Sequence, residues 1–301
     1  MFFGDRAHFL KTFLNLLRFY LSGMARLVVG VWVSEKKWRG LSERGVFDSD
    51  TEIEFRWFGD DKQKIVPSII LSKFSDFSQL PSLPNVPHFV DPDTQRITTD
   101  RIALAEKLIS AGIPTPRFKV LSRGEEKFPG FDFILKTRLA CGPSWTHQMV
   151  LGGGCVNMIE VTDLLRSRGV PEKEDLMAQE IISGPGWFYK VFSIGGEVGI
   201  FKRKGLGEKS GEISVFDSQS DSFKSEDVSP IDPVDRETLI SLAHKIDEFL
   251  QLKLFGFDVV KGSTSGGTGN FYVIDVNYFP TFKEVPDLGK KLRNLLKSFI
   301  A

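Results

Sequence analysis

The chain contains few of the residues that build disulfide frameworks or metal centres. Cys141 and Cys155 are its two cysteines, and four histidines are present among 301 residues. Two thiols at this separation form neither a disulfide framework nor a paired-cysteine metal site, and four histidines argue against a histidine-rich centre. We therefore expect a protein of a reducing compartment, with the cytoplasm as the default location.

Net charge and long hydrophobic runs are also missing. Lys and Arg together number 39, as do Asp and Glu, so no overall field draws the protein to nucleic acid or to an anionic membrane. Lys11 and Arg18 interrupt the apolar N-terminal stretch, whereas a bilayer-spanning helix needs about 20 apolar residues. We expect no nucleic-acid partner, no transmembrane segment and a monomer.

Residues 1–23 form an amphipathic pattern. Leu10, Leu14, Leu17 and Leu21 fall on one helical face. This N-terminal extension is either a helix packed on the protein, a non-native extension, or a membrane-surface or targeting helix, so targeting stays open.

The rest of the chain has an ordinary globular composition, with 41% hydrophobic residues, 26% charged residues and 27 phenylalanines. Helices and strands alternate early and hairpins dominate late, which predicts an α/β or α+β fold. The predicted strands span 26–33, 65–72, 131–136, 177–182, 188–194, 197–202, 256–260 and 271–276; the predicted helices span 98–112, 160–169, 235–252 and 285–300. Residues 80–92 are predicted to be extended, and 207–233 to form a mobile loop.

Two acidic residues lie in apolar strands near the C-terminus. Asp258 follows FGF, and Asp275 precedes Asn277 within YVIDVNYFP. Residues i and i+2 share one face of a strand, so the oxygens of Asp275 and Asn277 would point into one cleft. Such oxygens suit Mg²⁺ bound together with nucleotide phosphates. The alternative is that both carboxylates simply terminate strands.

Basic residues in interior-looking strands predict a phosphate site. Lys136 ends the strand FDFIL, and Lys190 alternates with aromatic residues in WFYKVFSIG; each either neutralises phosphate or reaches solvent. Further basic residues are scattered along the chain and would make a pocket for several phosphates if the fold gathers them. They are Lys36, Lys37, Arg39, Lys73, Arg101, His147, Arg203 and Lys204.

Taken together, these segments resemble the inositol 1,3,4-trisphosphate 5/6-kinase and inositol-tetrakisphosphate 1-kinase family of ATP-grasp enzymes. The resembling stretches are VGVWVSEKK (29–37), SIILSKFSD (68–76), DPDTQRITTDR (91–101), ILKTRLACGPSWTHQM (134–149), AQEII (178–182), FYKVFSIGG (188–196) and LFGFDVV…YVIDVNYFP (254–280). The resemblance implies an ATP-grasp fold in which two lobes clamp ATP. After the extension 1–23, the expected parts are an N-terminal α/β domain (24–112), a central lobe (113–184) and a C-terminal lobe (185–301).

The resemblance also implies roles for individual residues. Those expected to bind ATP are Lys136, Gln179, Glu180, Ile182 and Lys190, with Gln179, Glu180 and Ile182 as an adenine hinge. Those expected to bind inositol phosphate are Lys37, Lys73, Arg101, His147, Arg203, Asn277 and Thr281. Mg²⁺, expected as two ions, would be held by Asp258, Asp275 and Asn277. The implied reaction is ATP-dependent phosphorylation of an inositol tris- or tetrakisphosphate, and no residue is assigned as general base.

The sequence departs from the family pattern at five positions on the expected inositol side. Many members have His where this chain has Cys141, a His before the lysine at Ser72, a hinge-side His at Gly184, a Ser at Gly205 and a Gly at Thr281. Two other functions therefore stay open. One is an ATP-grasp carboxylate–amine ligase, and the other is a non-catalytic module that binds nucleotide or inositol phosphate.

Overall fold

A computed structural model describes residues 27–59, 67–73, 83, 86–121, 129–153, 156–205, 213–219, 230–262 and 269–299. The predicted extension 1–23 lies outside the described residues, as do Cys155 and much of the predicted loop 207–233. Within these ranges, no helix combines the length and the apolar character that crossing a bilayer would require.

The described elements are helices and strands in roughly equal share. The helices are α1 (Glu35–Ser42), α2 (Pro92–Thr99), α3 (Arg101–Ser110), α4 (Met158–Arg166), α5 (Pro233–Leu250) and α6 (Leu288–Ser298), with a 3₁₀ turn at Ser144–His147. The strands are β1 (Leu27–Trp32), β2 (Ile53–Trp57), β3 (Ile69–Ser72), β4 (Phe118–Leu121), β5 (Phe133–Thr137), β6 (Gln148–Gly152), β7 (Leu176–Glu180), β8 (Trp187–Ile194), β9 (Glu197–Lys204), β10 (Ser214–Asp217), β11 (Leu254–Lys261) and β12 (Phe271–Tyr278).

The first of two compact units comprises Met1–Gln95 with Phe279–Ala301. Its sheet is parallel, in the order β2-β1-β3. The β1 sequence LVVGVW is rich in β-branched residues, and Val29 and Val31 are fully buried, as expected for a central parallel strand. Helix α1 begins after Ser34, whose side chain caps the helix by accepting a hydrogen bond from the Lys37 amide.

The second unit, Arg96–Tyr278, contains an antiparallel five-stranded sheet in the order β10-β6-β5-β7-β4. Phe133 and Leu135 point from β5 to one face, where they join a core with helix α4. The alternation of a strand sends Lys136 to the opposite face. On that face Met177 packs against Ile102 of helix α3.

The second unit also contains an antiparallel four-stranded sheet in the order β12-β11-β8-β9. One face is closely packed, with Tyr189, Val191, Phe257 and Val276 almost wholly buried. Helix α5 packs on β8 and β9. The helix begins at Pro233 and is capped by the side chain of Asp232. Proline is favoured at the first helical position because the amide hydrogen that it lacks would have no partner there.

Several short elements differ from the sequence prediction. Residues 80–92 were expected to be extended, but helix α2 begins at Pro92. The predicted loop 207–233 contains strand β10, because Ser214–Asp217 pairs with the edge of β6 and satisfies its backbone hydrogen bonds. Strands β2, β4 and β6 were not predicted either. The division at 24–112, 113–184 and 185–301 stays a prediction.

Candidate active site

One row of side chains crosses the four-stranded sheet. Asp275 of β12 lies opposite Asp258 of β11, and Asp258 lies opposite Lys190 of β8. Residues directly opposite in antiparallel strands share a face, with their Cβ atoms about 5 Å apart. The pairing therefore places two carboxylates and one ammonium side by side, as the sequence predicted for a site that binds cations and phosphates.

Two more predicted residues share this face. Asn277 is two residues beyond Asp275, and its Nδ2 donates a hydrogen bond of 2.6 Å to Asp275 Oδ2. Arg203 lies on β9 opposite Phe188, two residues before Lys190, so its side chain belongs to the same face. An irregularity in the β11–β12 register falls next to Asp258, and such bulges are common beside active sites.

The oxygen atoms of this face fit a magnesium site. Asp258 and Asp275 supply carboxylates from directly opposed positions, and Asn277 supplies an amide group already hydrogen-bonded to Asp275. Over the part of the chain that the structure describes, no group of three or more His, Cys, Asp or Glu residues is arranged to hold a metal. Mg²⁺ needs no such cage, because it commonly takes one or two carboxylates and completes its shell with phosphates and water.

Lys136 lies buried on the five-stranded sheet, with 6% of its surface exposed. Its Nζ donates a hydrogen bond of 2.6 Å to Oε1 of Gln179, which is buried too. Burial, together with the nearby charge of Arg101, lowers the pKa of Lys136 to about 8, although Asp275 and Asp258 oppose that shift. A buried lysine with this pKa is a strong candidate for a functional cation.

Lys136 and Gln179 line a cavity in the second unit. Asp275 and Arg101 supply its other charged groups. The remaining wall is largely apolar and is formed by Leu104, Ala105, Leu108, Thr115, Met177, Val273 and Ile274. The space inside is about 10 Å³, enough for about one water molecule. The structure thus brings predicted ATP-binding and metal-binding residues to one cavity.

The predicted hinge follows β7. Arg117 binds the Glu180 carboxylate through Nε at 2.9 Å and Nη2 at 2.6 Å, which lowers the pKa of Glu180. The Glu180 side chain therefore fixes the hinge to the segment before β4. The amide of Ile181 donates to Asp132 O at 2.8 Å, and Ile182 lies next to Gly262.

Arg101 lines the cavity and is also hydrogen-bonded to the backbone, while its predicted role in binding inositol phosphate stays a prediction. Its buried guanidinium donates to the carbonyl oxygens of Thr137 (2.8 Å), Leu139 (2.8 Å) and Thr146 (3.2 Å), and to the Thr137 hydroxyl (3.0 Å). Helix α3 thereby holds the segment that follows β5. Sequence spacing could not predict this, because all four acceptors are contributed by residues at least 36 positions away.

His147 ends the 3₁₀ turn of that same segment. Its Nε2 lies 3.0 Å from Nε2 of Gln219. Partial burial, followed by the positive charge of Arg101, lowers the pKa of His147, so the imidazole favours its neutral form. A neutral imidazole can still donate one hydrogen bond to a phosphate oxygen.

The first unit contains the other predicted binding residues, Lys37, Lys73 and Thr281. Lys37 Nζ donates to the carbonyl oxygen of Phe279 and, at 3.4 Å, to that of Pro280, and it lies 4.1 Å from the centre of the Phe279 ring. Lys73 directly follows β3 and is half-buried. The structure therefore ties Lys37 to the turn that contains Thr281.

Sequence analysis missed Arg44, which binds the same turn. Its Nη1 donates to Thr281 O at 2.7 Å and its Nη2 to Phe282 O at 2.8 Å. Phe279 and Phe282 have positive φ angles of 41° and 47°, which bulky residues rarely adopt. Two cations therefore hold a strained turn, and no local sequence pattern signals the contact.

Four of the five departures from the family pattern differ in what the structure permits. A Cβ at Gly184 would overlap the carbonyl oxygen of Lys261, so no side chain fits there in this conformation. A Cβ at Gly205 would lie 3.4 Å from Gly186 O, which is tolerable. Cys141 is half-buried, and Thr281 is exposed.

Comparison with known families decides the class of the protein. The sequence profile of the inositol 1,3,4-trisphosphate 5/6-kinase ATP-grasp domain matches residues 98–298, about two thirds of the chain. The chain belongs to this family. The predicted fold and the predicted enzyme class, an inositol phosphate kinase, are confirmed at the level of the family.

Curated relatives resemble the chain at low identity. Inositol-tetrakisphosphate 1-kinase 3 of Arabidopsis thaliana is 22% identical, over 96% of this chain and 82% of its own length. Inositol-tetrakisphosphate 1-kinase 3 of Glycine max is 30% identical over 37% of this chain and 34% of its length. Inositol-tetrakisphosphate 1-kinase 6 of Oryza sativa subsp. indica is 28% identical over 56% of this chain and 31% of its own length. The matches to the latter two span about a third of each relative.

Solved structures share the fold. A D-alanine–D-alanine ligase from Bacillus anthracis superposes with a TM-score of 0.64 at 13% identity, covering 92% of this chain and 96% of the ligase. A RimK domain ATP-grasp protein from Sphaerobacter thermophilus gives a TM-score of 0.57 at 19% identity, and the match covers 91% of this chain and 99% of that protein. At these identities the similarity establishes the ATP-grasp fold alone.

Proposed function

We propose that this inositol phosphate kinase transfers the γ-phosphoryl group of ATP to a hydroxyl of an inositol tris- or tetrakisphosphate, with Mg²⁺. The observation that supports it best is the row Asp275, Asp258 and Lys190 on one face of the four-stranded sheet. Phosphoryl transfer needs cations and fixed donors around the phosphates far more than it needs covalent chemistry. In this proposal the row supplies a pair of carboxylates for the metal and a cation for the phosphates.

ATP is proposed to lie along the cavity that Lys136 and Gln179 line. Lys136 and Lys190 would contact its phosphates, because both are cations near the carboxylate of Asp258. Gln179, Glu180 and Ile182 would form the adenine hinge. Glu180 acts there through its backbone, since Arg117 occupies its carboxylate.

Asp258, Asp275 and Asn277 would hold Mg²⁺, proposed as two ions. When bound, the metal neutralises charge on the transferring phosphoryl group. The side chain of Asn277 orients the Asp275 carboxylate through their 2.6 Å hydrogen bond.

The inositol phosphate is proposed to be bound by Lys37, Lys73, His147, Arg203, Asn277 and Thr281. Arg101 supports this set indirectly, because its donors hold the segment 137–147. In the transfer itself, an inositol hydroxyl oxygen forms a bond to the γ-phosphorus, the bond from that phosphorus to the β–γ bridging oxygen breaks, and ADP and one proton are released. The monomeric state and the cytoplasmic location stay predictions.

The test is an assay with Mg-ATP and either inositol 1,3,4-trisphosphate or 3,4,5,6-tetrakisphosphate, with products separated by anion exchange. We expect a more highly phosphorylated inositol, lost in Asp275→Asn. Asp163→Asn is the matched control, because Asp163 is an exposed carboxylate on helix α4 of the same unit. ATP binding without product from either substrate would contradict the proposal, as would product formation undiminished in Asp275→Asn.

A further inference from the structure

A buried carboxylate fixes the end of strand β11. Asp235, in the first turn of helix α5, is 5% exposed. Its Oδ2 accepts a hydrogen bond of 2.5 Å from the Tyr189 hydroxyl, and its Oδ1 accepts one of 2.7 Å from Lys261 Nζ. Three elements, α5, β8 and β11, thus meet at one carboxylate.

Both oxygens of the Asp235 carboxylate accept hydrogen bonds from side chains of the protein itself. A buried carboxylate is costly unless it is paired and hydrogen-bonded, and here each oxygen has its own donor. Burial and the hydrogen bond to Asp235 raise the pKa of Tyr189, so its hydroxyl stays a donor at physiological pH. The Phe271 ring covers the network, with its centre 5.5 Å from Lys261 Nζ.

Residues 261–262, at the end of β11, in turn contact the predicted hinge and the residues just after it. A Cβ at Gly184 would overlap the carbonyl oxygen of Lys261, so the hinge backbone rests directly on it. A Cβ at Gly262 would lie 3.2 Å from Cγ2 of Ile182 and 3.1 Å from Cε2 of Tyr272. The hinge therefore packs against residues 261–262 without intervening side chains.

We propose that Asp235 is a positioning residue for nucleotide binding: through Lys261 and Tyr189 it holds residues 261–262 in place, and these residues fix the hinge at Ile182 and Gly184. Asp235 does not line the cavity. The inference rests on the proposed nucleotide site and extends it to residues that lie outside that site. A displaced hinge loses the geometry that binds adenine, because small misplacements of binding groups are costly.

The fold supplies a matched control at the other end of the same two elements. Lys253, just before β11, forms an ion pair of 2.8 Å with Asp247, near the end of helix α5. Lys253→Met and Lys261→Met thus remove the same kind of ion pair between the same two elements. Only the second pair lies beside the hinge.

The test measures binding of ATP and GTP to the full chain by titration calorimetry. We expect Lys261→Met and Gly184→Ala each to raise the Kd for ATP about tenfold and to reduce the preference for ATP over GTP. Lys253→Met should leave both values unchanged, and Lys261→Arg should restore them, since arginine keeps the charge and the donors. A general loss of stability would not change nucleotide preference.

The failures of the two proposals are distinguishable. A wild-type chain that binds no ATP contradicts the proposed function. A wild-type chain that binds ATP, with Lys261→Met matching it, overturns the role of Asp235 alone. If Lys261→Met does not fold, Tyr189→Phe decides, because it removes the other donor to Asp235 and keeps the ring, and an unchanged Kd and nucleotide preference in that variant overturn the inference.

Discussion

Lys136 Nζ donates a hydrogen bond of 2.6 Å to Gln179 Oε1, and both side chains are buried on the same face of the five-stranded sheet. The direct partner of the ammonium is neutral, and Asp275 and Asp258 act on it as longer-range charges. The Gln179 amide also lies 3.5 Å from Ile274 O of the four-stranded sheet. The pair therefore links the two sheets at the cavity and holds a positive charge there.

The first prediction concerns pH. Burial lowers the pKa of Lys136 to about 8, so the ammonium is lost above that pH when no ligand is bound. The KM for ATP should be flat below pH 8 and should rise above it, approaching about tenfold per pH unit. Initial rates at several ATP concentrations between pH 6.5 and 9.5, on the order of one reading per half unit, measure it.

Two variants identify the group whose titration causes the break at about pH 8 in the pH dependence of the KM for ATP. Cys141→Ser should leave it in place, because the prediction assigns the break to Lys136 and not to the thiol of Cys141. Lys136→Arg should remove it, since a guanidinium stays charged throughout. A break that disappears in the cysteine variant would assign it to the thiol and contradict the prediction.

The same pKa makes a prediction about stability. An unfolded lysine titrates near 10.5, so between about pH 8 and 10.5 the unfolded chain binds more protons than the folded chain. The contribution of Lys136 to the free energy of unfolding should therefore rise with pH through that window. Urea unfolding of wild type and Lys136→Met without ATP measures it: the variant should be the more stable at pH 7, and its advantage should shrink above pH 8. An advantage independent of pH would refute this.

A further prediction concerns the metal. Asp258 lies opposite Asp275 and beside Lys190, so Asp258→Asn should weaken Mg²⁺ binding while leaving the fold intact. We expect the Mg²⁺ concentration for half-maximal rate to rise about tenfold or more, with the KM for the inositol substrate little changed. Mg²⁺ titrations at saturating ATP measure it, with Asp163→Asn as the control. An unchanged Mg²⁺ requirement would exclude Asp258 from the metal site.

Sequence reasoning succeeded where the chemistry is local. The alternation within YVIDVNYFP placed Asp275 and Asn277 on one face, and the structure adds their hydrogen bond. Long helices such as α5 were predicted because their apolar period repeats over many residues. Short strands such as β10 were missed, since four residues carry too little pattern and edge pairing decides their structure.

The contacts that sequence could not supply are long-range ones between charged side chains and backbone carbonyls. Lys37 and Phe279 are 242 positions apart, yet the lysine donates to that carbonyl. Family resemblance implied that Arg101 binds substrate, whereas its donors are used on Thr137, Leu139 and Thr146. Every residue type has the same backbone carbonyl, so no pattern of side chains in the sequence predicts which carbonyl will accept such a hydrogen bond.

Arg44 carries the next prediction. Arg44→Gln should release the turn at Thr281 and Phe282, because it removes two hydrogen bonds from a guanidinium. We expect a loss of about 1 kcal/mol in the free energy of unfolding and a rise of about threefold or more in the KM for the inositol substrate. Arg39→Gln is the matched control, since the exposed side chain of Arg39 on helix α1 forms an ion pair with Glu35 of the same helix. Equal kinetic effects of the two substitutions would contradict a role for the turn.

Arg101 should stabilise the protein far more than its exposed counterpart Arg138. Arg101→Lys removes most of four hydrogen bonds that a buried guanidinium donates, so we expect a loss of about 3 kcal/mol. Arg138 forms ion pairs with Asp100 and Asp175 but is 45% exposed, so Arg138→Lys should cost less than about 1 kcal/mol. Urea unfolding measures both. Equal losses would contradict the stabilising role of Arg101, and a KM for the inositol substrate raised in Arg101→Lys with no loss of stability would mean that Arg101 binds substrate rather than holding the segment 137–147.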